Sequence, residues 1–160
     1  MAFKEIVPEE LTVNPFTKIG KEWMLITAGA DAAHCNTMTA SWGALGVMWG
    51  KNVVSVYIRP QRYTKEFVDA EDRFTCSFFG EGNCRDALSY LGKVSGRDVP
   101  DKIAQAGLTP VEVDGAVAFE EAETVLVCRK LYARELPPED FIDTACDERW
   151  YPNHDYHTMY

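Results

Sequence analysis

The chain has 160 residues, of which 46% are hydrophobic and 12% aromatic, and this apolar content suits one folded core rather than two. Lys and Arg total 16 against 25 Asp and Glu, so the formal net charge of −9 disfavours nucleic acid as a partner. The first residues lack the basic head and apolar run of a signal peptide, and no apolar stretch reaches the roughly 20 residues of a membrane helix. We therefore expect one domain, residues 1–160, in the cytoplasm and away from membranes.

Five cysteines, an odd number without a CxxC pair, indicate neither a full disulfide framework nor a four-thiolate zinc site. Reduced thiols in a cytosolic protein fit this pattern better. Cys76 and Cys128 lie inside apolar, strand-like runs, which favours burial as small hydrophobic side chains.

Segments rich in Val, Ile, Thr and aromatic residues predict six β-strands, at residues 23–30, 35–41, 52–58, 73–79, 116–119 and 124–132. In the third, Val54, Val56 and Ile58 share one face while apolar residues also occupy the other, as in a closed sheet. The second and third strands leave no room for a crossover helix between them. The pattern predicts a mainly β, antiparallel barrel with a few short inserted helices.

One inserted helix is indicated by apolar residues at i, i+3, i+4 and i+7, namely Cys84, Ala87, Leu88 and Leu91. Asn83 is placed to cap its start and Gly92 to end it. A second helix is expected after Thr64, with the Thr64 hydroxyl as its N-cap.

The segment Asn36-Thr37-Met38-Thr39-Ala40-Ser41-Trp42-Gly43 mixes hydroxyl, amide and small side chains where the pattern predicts a strand. Small side chains let another group approach the backbone, whose N–H groups then meet the acceptors of a planar polar ring. The alternative is an ordinary barrel strand with a polar outer face and a buried Trp.

The segment Arg59-Pro60-Gln61-Arg62-Tyr63-Thr64-Lys65 places three cations within seven residues of an acidic chain. If a strand ends near Pro60 and a helix begins near Thr64, the Arg62 side chain, the Thr64 hydroxyl and free backbone N–H groups converge. Such a cradle holds a phosphate monoester. The alternative is a solvated turn whose arginines pair with surface carboxylates. FMN combines a planar ring with a phosphate, so the two segments together suit it.

These two motifs, Asn36-Thr37-Met38-Thr39-Ala40-Ser41-Trp42 and then Val56-Tyr57-Ile58-Arg59-Pro60-Gln61-Arg62-Tyr63-Thr64, resemble the signature of the flavin-reductase-like, FMN-binding split-barrel family, which includes flavoredoxins. Ser95-Gly96-Arg97-Asp98-Val99-Pro100-Asp101-Lys102-Ile103 is similar to its serine-glycine-aspartate-lysine stretch. Ala106-Gly107-Leu108-Thr109-Pro110 is similar to its glycine-leucine-threonine turn. The resemblance runs from about Phe3 to at least Tyr132.

The resemblance implies a Greek-key, antiparallel split β-barrel that works as a homodimer, with FMN near the subunit interface. It also implies that NADH or NADPH reduces the FMN, which passes electrons to free flavin or another acceptor. Because the chain has no G-x-G-x-x-G motif, a nicotinamide donor would stack on the flavin. Two alternatives stay open, a flavoredoxin-like electron carrier between proteins and an FMN-dependent oxidase of a small amine. The lack of a second basic cluster disfavours the oxidase.

The resemblance also assigns roles to residues. It implies that the flavin is lined by Asn36, Thr39, Ala40, Ser41 and Trp42 and that the phosphate is held by Arg62, Tyr63 and Thr64. Met38 and Arg59 are further cofactor-binding candidates. Lys102 would lie close to the flavin, where a cation stabilises the anionic reduced form. The chain departs from the family at Ala44–Lys51, which replaces a Pro-Pro turn, and Trp49 there is a candidate second wall of the pocket.

After Pro137-Pro138 the chain forms an acidic and aromatic tail, residues 137–160. We expect it to pack at the dimer interface, or to lend His154, Tyr156 or His157 as catalytic residues on the substrate side of the flavin. His154 and His157, with Asp155 and Cys146 nearby, lack a third metal ligand at convincing spacing, so no metal site is predicted.

Overall fold

Ten strands, all paired antiparallel, build the fold in a computed structural model that describes residues 3–160. They are β1 Met24–Asp31, β2 His34–Ala40, β3 Gly43–Met48, β4 Lys51–Ile58, β5 Arg73–Phe78, β6 Pro110–Val113, β7 Ala116–Phe119, β8 Thr124–Arg129, β9 Arg134–Glu135 and β10 Thr158–Met159. One sheet has the order β2-β1-β5-β8 and the second β3-β4-β10-β9. Strands β6 and β7 form a separate hairpin.

Five short α-helices are inserted between the strands across residues 3–160. They are α1 Pro15–Thr17, α2 Thr64–Ala70, α3 Arg85–Lys93, α4 Lys102–Gln105 and α5 Thr144–Trp150. A wider helical turn, Lys18–Glu22, continues α1, and single 3₁₀ turns lie at Pro8–Glu10 and Pro138–Asp140. None of the helices in this described part of the chain has the length and apolar character needed to cross a membrane.

The main core lies between the two four-stranded sheets. Buried side chains of β1, β2 and β5 contact those of β4, while Leu45, Leu126 and Tyr160 close the remaining sides. Val56 and Ile58 of β4 are fully buried here and Val54 packs against them, which confirms the face predicted from their alternation. Burial from both sheets explains why this strand is apolar along its inner face.

A second apolar cluster covers the outer face of the first sheet. Ala87, Leu88 and Leu91 of α3 are buried against it, as their spacing predicts. Leu25 of β1 and Phe119 of β7 lie beneath them. The first sheet is thus covered on both faces, by the second sheet on one side and by α3 and α4 on the other.

All six predicted strands are present, with ends that shift by a few residues. The largest shift is in β8, which ends at Arg129, whereas the prediction extended to Tyr132. The last bond of this ladder is the one that the Lys130 N–H donates to the Asp72 carbonyl oxygen at 2.9 Å, one position beyond the Arg73–Arg129 pair. The four additional strands, β3, β6, β9 and β10, were not predicted.

The predicted helix caps are wrong. Helix α3 begins at Arg85 after a left-handed Cys84, without a capping bond from Asn83, and it continues through Gly92 to Lys93. Helix α2 begins at Thr64 itself, so its hydroxyl is not the N-cap. That hydroxyl instead accepts a hydrogen bond from a strand, as described below.

The departure at residues 44–51 is a β-hairpin. Strand β3 pairs with β4 from Gly43 opposite Val56 to Met48 opposite Lys51, so Trp49 and Gly50 form a two-residue turn. Both have positive φ, 54° and 67°, as a type I′ turn requires. Trp49 at the hairpin tip is 59% exposed and its ring centroid lies 6.3 Å from that of Tyr132.

The tail folds back onto its own barrel. Thr158 pairs with Ile58 of β4 and with Glu135 of β9, so β10 is an inner strand of the second sheet. The Tyr160 N–H donates to the Val56 carbonyl oxygen at 2.9 Å, and the Val56 N–H donates to that of Tyr160 at 3.0 Å. The last residues therefore complete the sheet within the same subunit.

Candidate functional site

A buried amide–hydroxyl pair joins the two motifs that carry the predicted site. Asn36 on β2 is 4% exposed and Thr64 at the start of α2 is 1% exposed. The Asn36 Nδ2 donates to the Thr64 Oγ1 at 2.8 Å. This bond pairs one polar atom of each side chain in a place where an unpaired polar group would be costly. It brings the predicted ring-binding strand and the predicted phosphate cradle together.

The loop after α3 closes over this pair. A Cβ atom at Gly96 would lie 2.3 Å from the Asn36 Oδ1 and 3.2 Å from the Tyr63 Cδ1, so any larger residue there requires Asn36 or the loop to shift. The Tyr63 ring is further enclosed by the Arg97 guanidinium, whose Cζ lies 4.9 Å from the ring centroid. The loop that carries the third family motif is thus packed against the first two.

Arg62 reaches from the turn before α2 to the end of α3. Its Nη1 donates to the Gly92 carbonyl oxygen at 2.9 Å and its Nη2 to the Thr39 carbonyl oxygen at 3.2 Å. Across residues 3–160 it has no carboxylate partner. Burial, followed by repulsion from Arg59, lowers the pKa of its guanidinium.

Lys102, the first residue of α4, lies next to strand β2 and is 2% exposed. Its Nζ donates to the Thr37 carbonyl oxygen at 2.7 Å and to the Val94 carbonyl oxygen at 2.9 Å. Burial is the larger cause, and repulsion from Arg62 the second, that lowers the pKa of this ammonium to about 8. Among the described residues no carboxylate pairs with it.

Arg62 and Lys102 are therefore two neighbouring cations whose protein partners are uncharged carbonyl groups. They complement the last carbonyls of α3, which explains part of their placement. Each cation nevertheless repels the other in a desolvated setting, and an anion bound between them relieves that cost. We name this arrangement the cation pair.

The other two cations of the segment Arg59–Lys65 are engaged in ion pairs. Arg59 Nη1 donates to the Asp155 Oδ2 at 2.6 Å and its Nη2 to the Trp150 carbonyl oxygen at 2.7 Å. Lys65 Nζ lies 2.8 Å from the Asp69 Oδ2 on the next turn of α2. Arg59 and Lys65 are thus each paired with a carboxylate, and a cofactor-binding role of Arg59 stays a prediction.

Backbone N–H groups of the cradle are partly used as well. The Lys65 N–H donates to the Arg62 carbonyl oxygen at 3.0 Å and the Glu66 N–H to that of Tyr63 at 3.1 Å. The free N–H groups that the sequence predicted at the helix start are therefore fewer than expected. Arg62 is the residue of this turn that keeps an unpaired charge.

The remaining residues of the first motif divide between core and surface. Met38 and Ala40 face the main core, 7% and 8% exposed, so a ligand could meet them through their backbone alone. Thr39 on the opposite face donates its hydroxyl to the Leu88 carbonyl oxygen. Ser41 and Trp42 are half-buried and line a shallow groove with Phe16 of α1.

The three tail residues predicted as catalytic candidates are not brought together at one point. His157 is buried and its ring centroid lies 5.0 Å from that of Trp42. Tyr156 instead donates its hydroxyl to the Asp147 Oδ1 at 2.8 Å, and the exposed His154 lies beside it. Within residues 3–160 no three His, Cys, Asp or Glu side chains are grouped to hold a metal ion.

His157 is held as a neutral base. Its Nδ1 lies 2.7 Å from the Tyr151 hydroxyl, and burial, ahead of the nearby Arg59, lowers the pKa of its imidazole to about 4. Tyr151 was not predicted, although its position beside Trp150 in an aromatic tail is a signal that could have found it. Asp155, considered from the sequence as a metal ligand, is instead the partner of Arg59.

Trp49 lies apart from this region, at the exposed tip of the β3–β4 turn, with Tyr132 as its aromatic neighbour. Trp42 has different partners, since its ring meets that of Trp150 edge-on with centroids 5.0 Å apart. Only Trp42 of these two therefore contacts the tail residues near the first motif.

Solved structures similar to this chain share its fold at low sequence identity. Flavoredoxin from Desulfovibrio vulgaris aligns with a TM-score of 0.63 and 19% identity over 86% of this chain and 64% of its own. An FMN-binding protein from Thermus thermophilus aligns with a TM-score of 0.64 and 18% identity over 99% of this chain and 76% of its own. A protein with a split barrel domain from Shewanella frigidimarina aligns with a TM-score of 0.65 and 14% identity over 91% of this chain and 66% of its own.

These neighbours confirm the predicted antiparallel split barrel with short inserted helices. This chain spans under two thirds of the length of the flavoredoxin and the Shewanella protein. No curated protein matches the sequence. The family model described as flavin reductase like domain matches residues 16–140, which include β1 to β9 and every motif quoted above. The chain belongs to the flavin reductase like domain family.

Proposed function

We propose that this protein binds FMN and uses it as an oxidoreductase, taking hydride from NADH or NADPH and passing electrons to free flavin or another acceptor. The observation that carries the proposal is the cation pair, since Arg62 and Lys102 are desolvated without a carboxylate among residues 3–160. Membership of the family supports the flavin as the anionic ligand that fits.

The two members of the cation pair suit different parts of FMN. Arg62, a planar fork of N–H donors, is the group that recognises a phosphate ester best. Lys102 is a point charge below Thr37, where it would favour negative charge on the ring system. When bound, FMN supplies the hydride-accepting chemistry that no side chain of this site provides.

The protein's own contribution is to hold and orient. The Asn36–Thr64 bond and the close approach of Gly96 fix the strand, turn and loop around the ligand. Trp42 and the neutral His157 form an aromatic edge beside Ser41. A nicotinamide ring would stack on the flavin there, since the chain has no dinucleotide-binding motif of its own.

Binding of FMN and of riboflavin tests the phosphate assignment. We expect Arg62→Ala to weaken FMN binding by about tenfold or more, the worth of one charge-assisted hydrogen bond, while riboflavin affinity changes little because riboflavin has no phosphate. Lys65→Ala is the matched control, because Lys65 is a cation of the same turn paired with Asp69. Fluorescence titration measures both. Equal loss of FMN and riboflavin affinity would contradict the assignment.

Reductase activity is tested by anaerobic oxidation of NADH and NADPH with and without added FMN. We expect the absorbance of the bound flavin near 450 nm to bleach with one or both donors. A yellow protein that neither donor reduces would support the electron-carrier alternative instead. A protein that never takes up FMN would refute every flavin-based function.

We also propose that the protein is a homodimer of the reducing cytoplasm. All five cysteines are free thiols, which suits a reducing compartment. Large exposed side chains such as Val47, 74% exposed, and Ile142, 102% exposed, give it apolar surface that a second subunit could cover. The nicotinamide donor and the acceptor would approach the flavin from the surface that this assembly leaves open.

A further inference from the structure

A second cavity lies between the tail and the barrel, apart from the cation pair. It has a volume of about 340 Å³ and we call it the tail pocket. Trp42 and Tyr57 form its barrel side, while Phe141, Trp150 and Tyr151 form its tail side. Apart from Trp42, these residues have no part in the proposed function.

The walls of the tail pocket are chemically uniform. Five aromatic side chains line it together with Leu136 and Cys146, and no charged residue of the described chain is among them. The rings of Trp42 and Trp150 meet edge-on at 5.0 Å, and those of Phe141 and Tyr151 at 5.7 Å between centroids. The two rings of each pair contact each other, and their remaining edges and faces, which line the cavity, favour the packing of a further aromatic ring against them.

Among the polar groups that the lining residues carry, the Tyr151 hydroxyl is hydrogen-bonded to the His157 Nδ1. Burial raises the pKa of Tyr151 and lowers that of His157, so both groups are neutral at pH 7. Two cations stack on rings of the pocket: the Arg149 Cζ lies 4.9 Å from the Trp150 ring centroid, and the Arg59 Cζ lies 5.1 Å from that of Tyr151 and is paired with Asp155. Arg149 is outweighed by six carboxylates of the tail, so an anionic ligand gains no net attraction here; they are Glu139, Asp140, Asp143, Asp147, Glu148 and Asp155.

We propose that the tail pocket binds an uncharged, planar aromatic molecule of one or two rings. A cavity of about 340 Å³ is at the small end of ligand pockets and holds a ligand of this size. Its role as the substrate side of the flavin rests on the proposed function. Trp42 supports that role, because its side chain lines both the tail pocket and the groove that contains Ser41.

Calorimetric titration of the full chain with 2-naphthol, with 2-naphthoate as the charged match, tests the proposal. We expect 2-naphthol to bind one site per chain with a Kd of about 100 μM or tighter, and 2-naphthoate at least tenfold more weakly. Both titrations are made on the FMN-free and the FMN-loaded protein. Binding of 2-naphthol to FMN-free protein supports the pocket even if FMN never binds, so the two proposals fail separately.

Cys146 offers a variant that fills the pocket without truncating its walls. Cys146 is exposed on α5 and lines the cavity, so Cys146→Trp places an indole in it, whereas Cys146→Ser leaves its volume nearly unchanged. We expect Cys146→Trp to abolish 2-naphthol binding and to keep the FMN affinity, and Cys146→Ser to behave as the parent. Phe141→Ala, which removes one wall, should weaken 2-naphthol binding about tenfold.

Three results would overturn the proposal. One is the absence of saturable 2-naphthol binding to the parent chain. Another is equal affinity for 2-naphthol and 2-naphthoate, which is the mark of unspecific adsorption. The third is unchanged 2-naphthol binding in both Cys146→Trp and Phe141→Ala. If a second copy of the chain covers the pocket, 2-naphthol fails to bind and Cys146→Trp reduces self-association, and the proposal is then wrong.

Discussion

Lys102 links the proposed site to pH. Burial and the neighbouring Arg62 lower its pKa to about 8, so the ligand-free protein loses this charge between pH 7 and 9. An anion stabilises the ammonium form, and FMN should therefore bind more weakly as the pH rises above 8, by up to about tenfold per pH unit. Fluorescence titration of FMN from pH 7 to 9.5 measures this slope.

Lys102→Met is the control for that prediction, because it keeps the length of the side chain and removes the charge. Its FMN affinity should be lower at pH 7 and flat up to pH 9.5, and a slope equal to that of the parent would exclude Lys102 as the titrating group. The folding stability of the ligand-free protein changes with pH in the opposite direction. Between pH 8 and 10.5 the unfolded chain holds more protons than the folded one, so the ligand-free protein gains stability as the pH rises.

Gly96 tests whether the third motif supports the site through packing. A Cβ atom there would lie 2.3 Å from the Asn36 Oδ1, so Gly96→Ala must displace the loop or break the Asn36–Thr64 bond. We expect a loss of about 1–3 kcal/mol in the free energy of unfolding, measured by urea denaturation. Gly46→Ala, where nothing lies within 4 Å, should change it by less than about 0.5 kcal/mol. Similar losses in both variants would contradict this account.

Residue types in the sequence indicate the chemistry of the site, but not which partners they choose. Arg59 and Arg62 are equivalent in the motif, and only the fold shows that Asp155, 96 residues later, neutralises the first. The same holds for Lys102, whose two carbonyl acceptors come from β2 and from the residue after α3. Long-range pairing of this kind leaves no local signal in one sequence.

At the scale of elements, the β3–β4 hairpin carries strain that a substitution can relieve. Trp49 occupies a left-handed position with φ 54°, which Asn adopts more readily than a bulky side chain. Trp49→Asn should raise the free energy of unfolding by about 0.5–1 kcal/mol relative to Trp49→Ala, which removes the ring without favouring the turn. Urea denaturation of both variants measures the difference. An equal or lower stability of Trp49→Asn would show that the left-handed backbone of the turn does not destabilise the parent protein.

Elements in which apolar residues recur at a regular spacing could be predicted from the sequence, whereas elements without such a spacing could not. Strand β4 and helix α3 show periods of two and of three to four residues, and both are present as predicted. Strand β3 has no such period, because its two glycines and apolar residues lie on an exposed edge rather than over a core. The two-residue strand β10 is defined by its partners β4 and β9, which lie far away in sequence.

At the scale of the whole molecule, the tail joins the barrel to the proposed ligand sites. Strand β10 completes the second sheet, Arg59 and Gln61 both donate to the Asp155 Oδ2, and His157 contacts Trp42. We expect the tail at the dimer interface or on the substrate side of the flavin; of its three catalytic candidates His157 contacts Trp42, and a catalytic role for it stays a prediction. The packing of the tail against a partner subunit stays a prediction.

The location of the proposed dimer interface can be tested on two exposed apolar surfaces. Strand β3 is the edge of its sheet, and the segment from Gly43 to Gly50 carries no charge, while Val47 is 74% exposed. An uncharged, apolar edge strand is a site of association unless another chain covers it. On the tail, Ile142 is the matched exposed side chain at 102%.

We expect Val47→Lys to shift the protein from dimer to monomer at about 10 μM, because a charge on the edge strand disfavours its burial. Ile142→Lys should leave the dimer intact if the hairpin is the interface. Sedimentation velocity measures both, and urea denaturation confirms that each variant is folded. The reverse result, a monomer with Ile142→Lys alone, would place the interface on the tail, and a parent chain that sediments as a monomer would refute the homodimer itself.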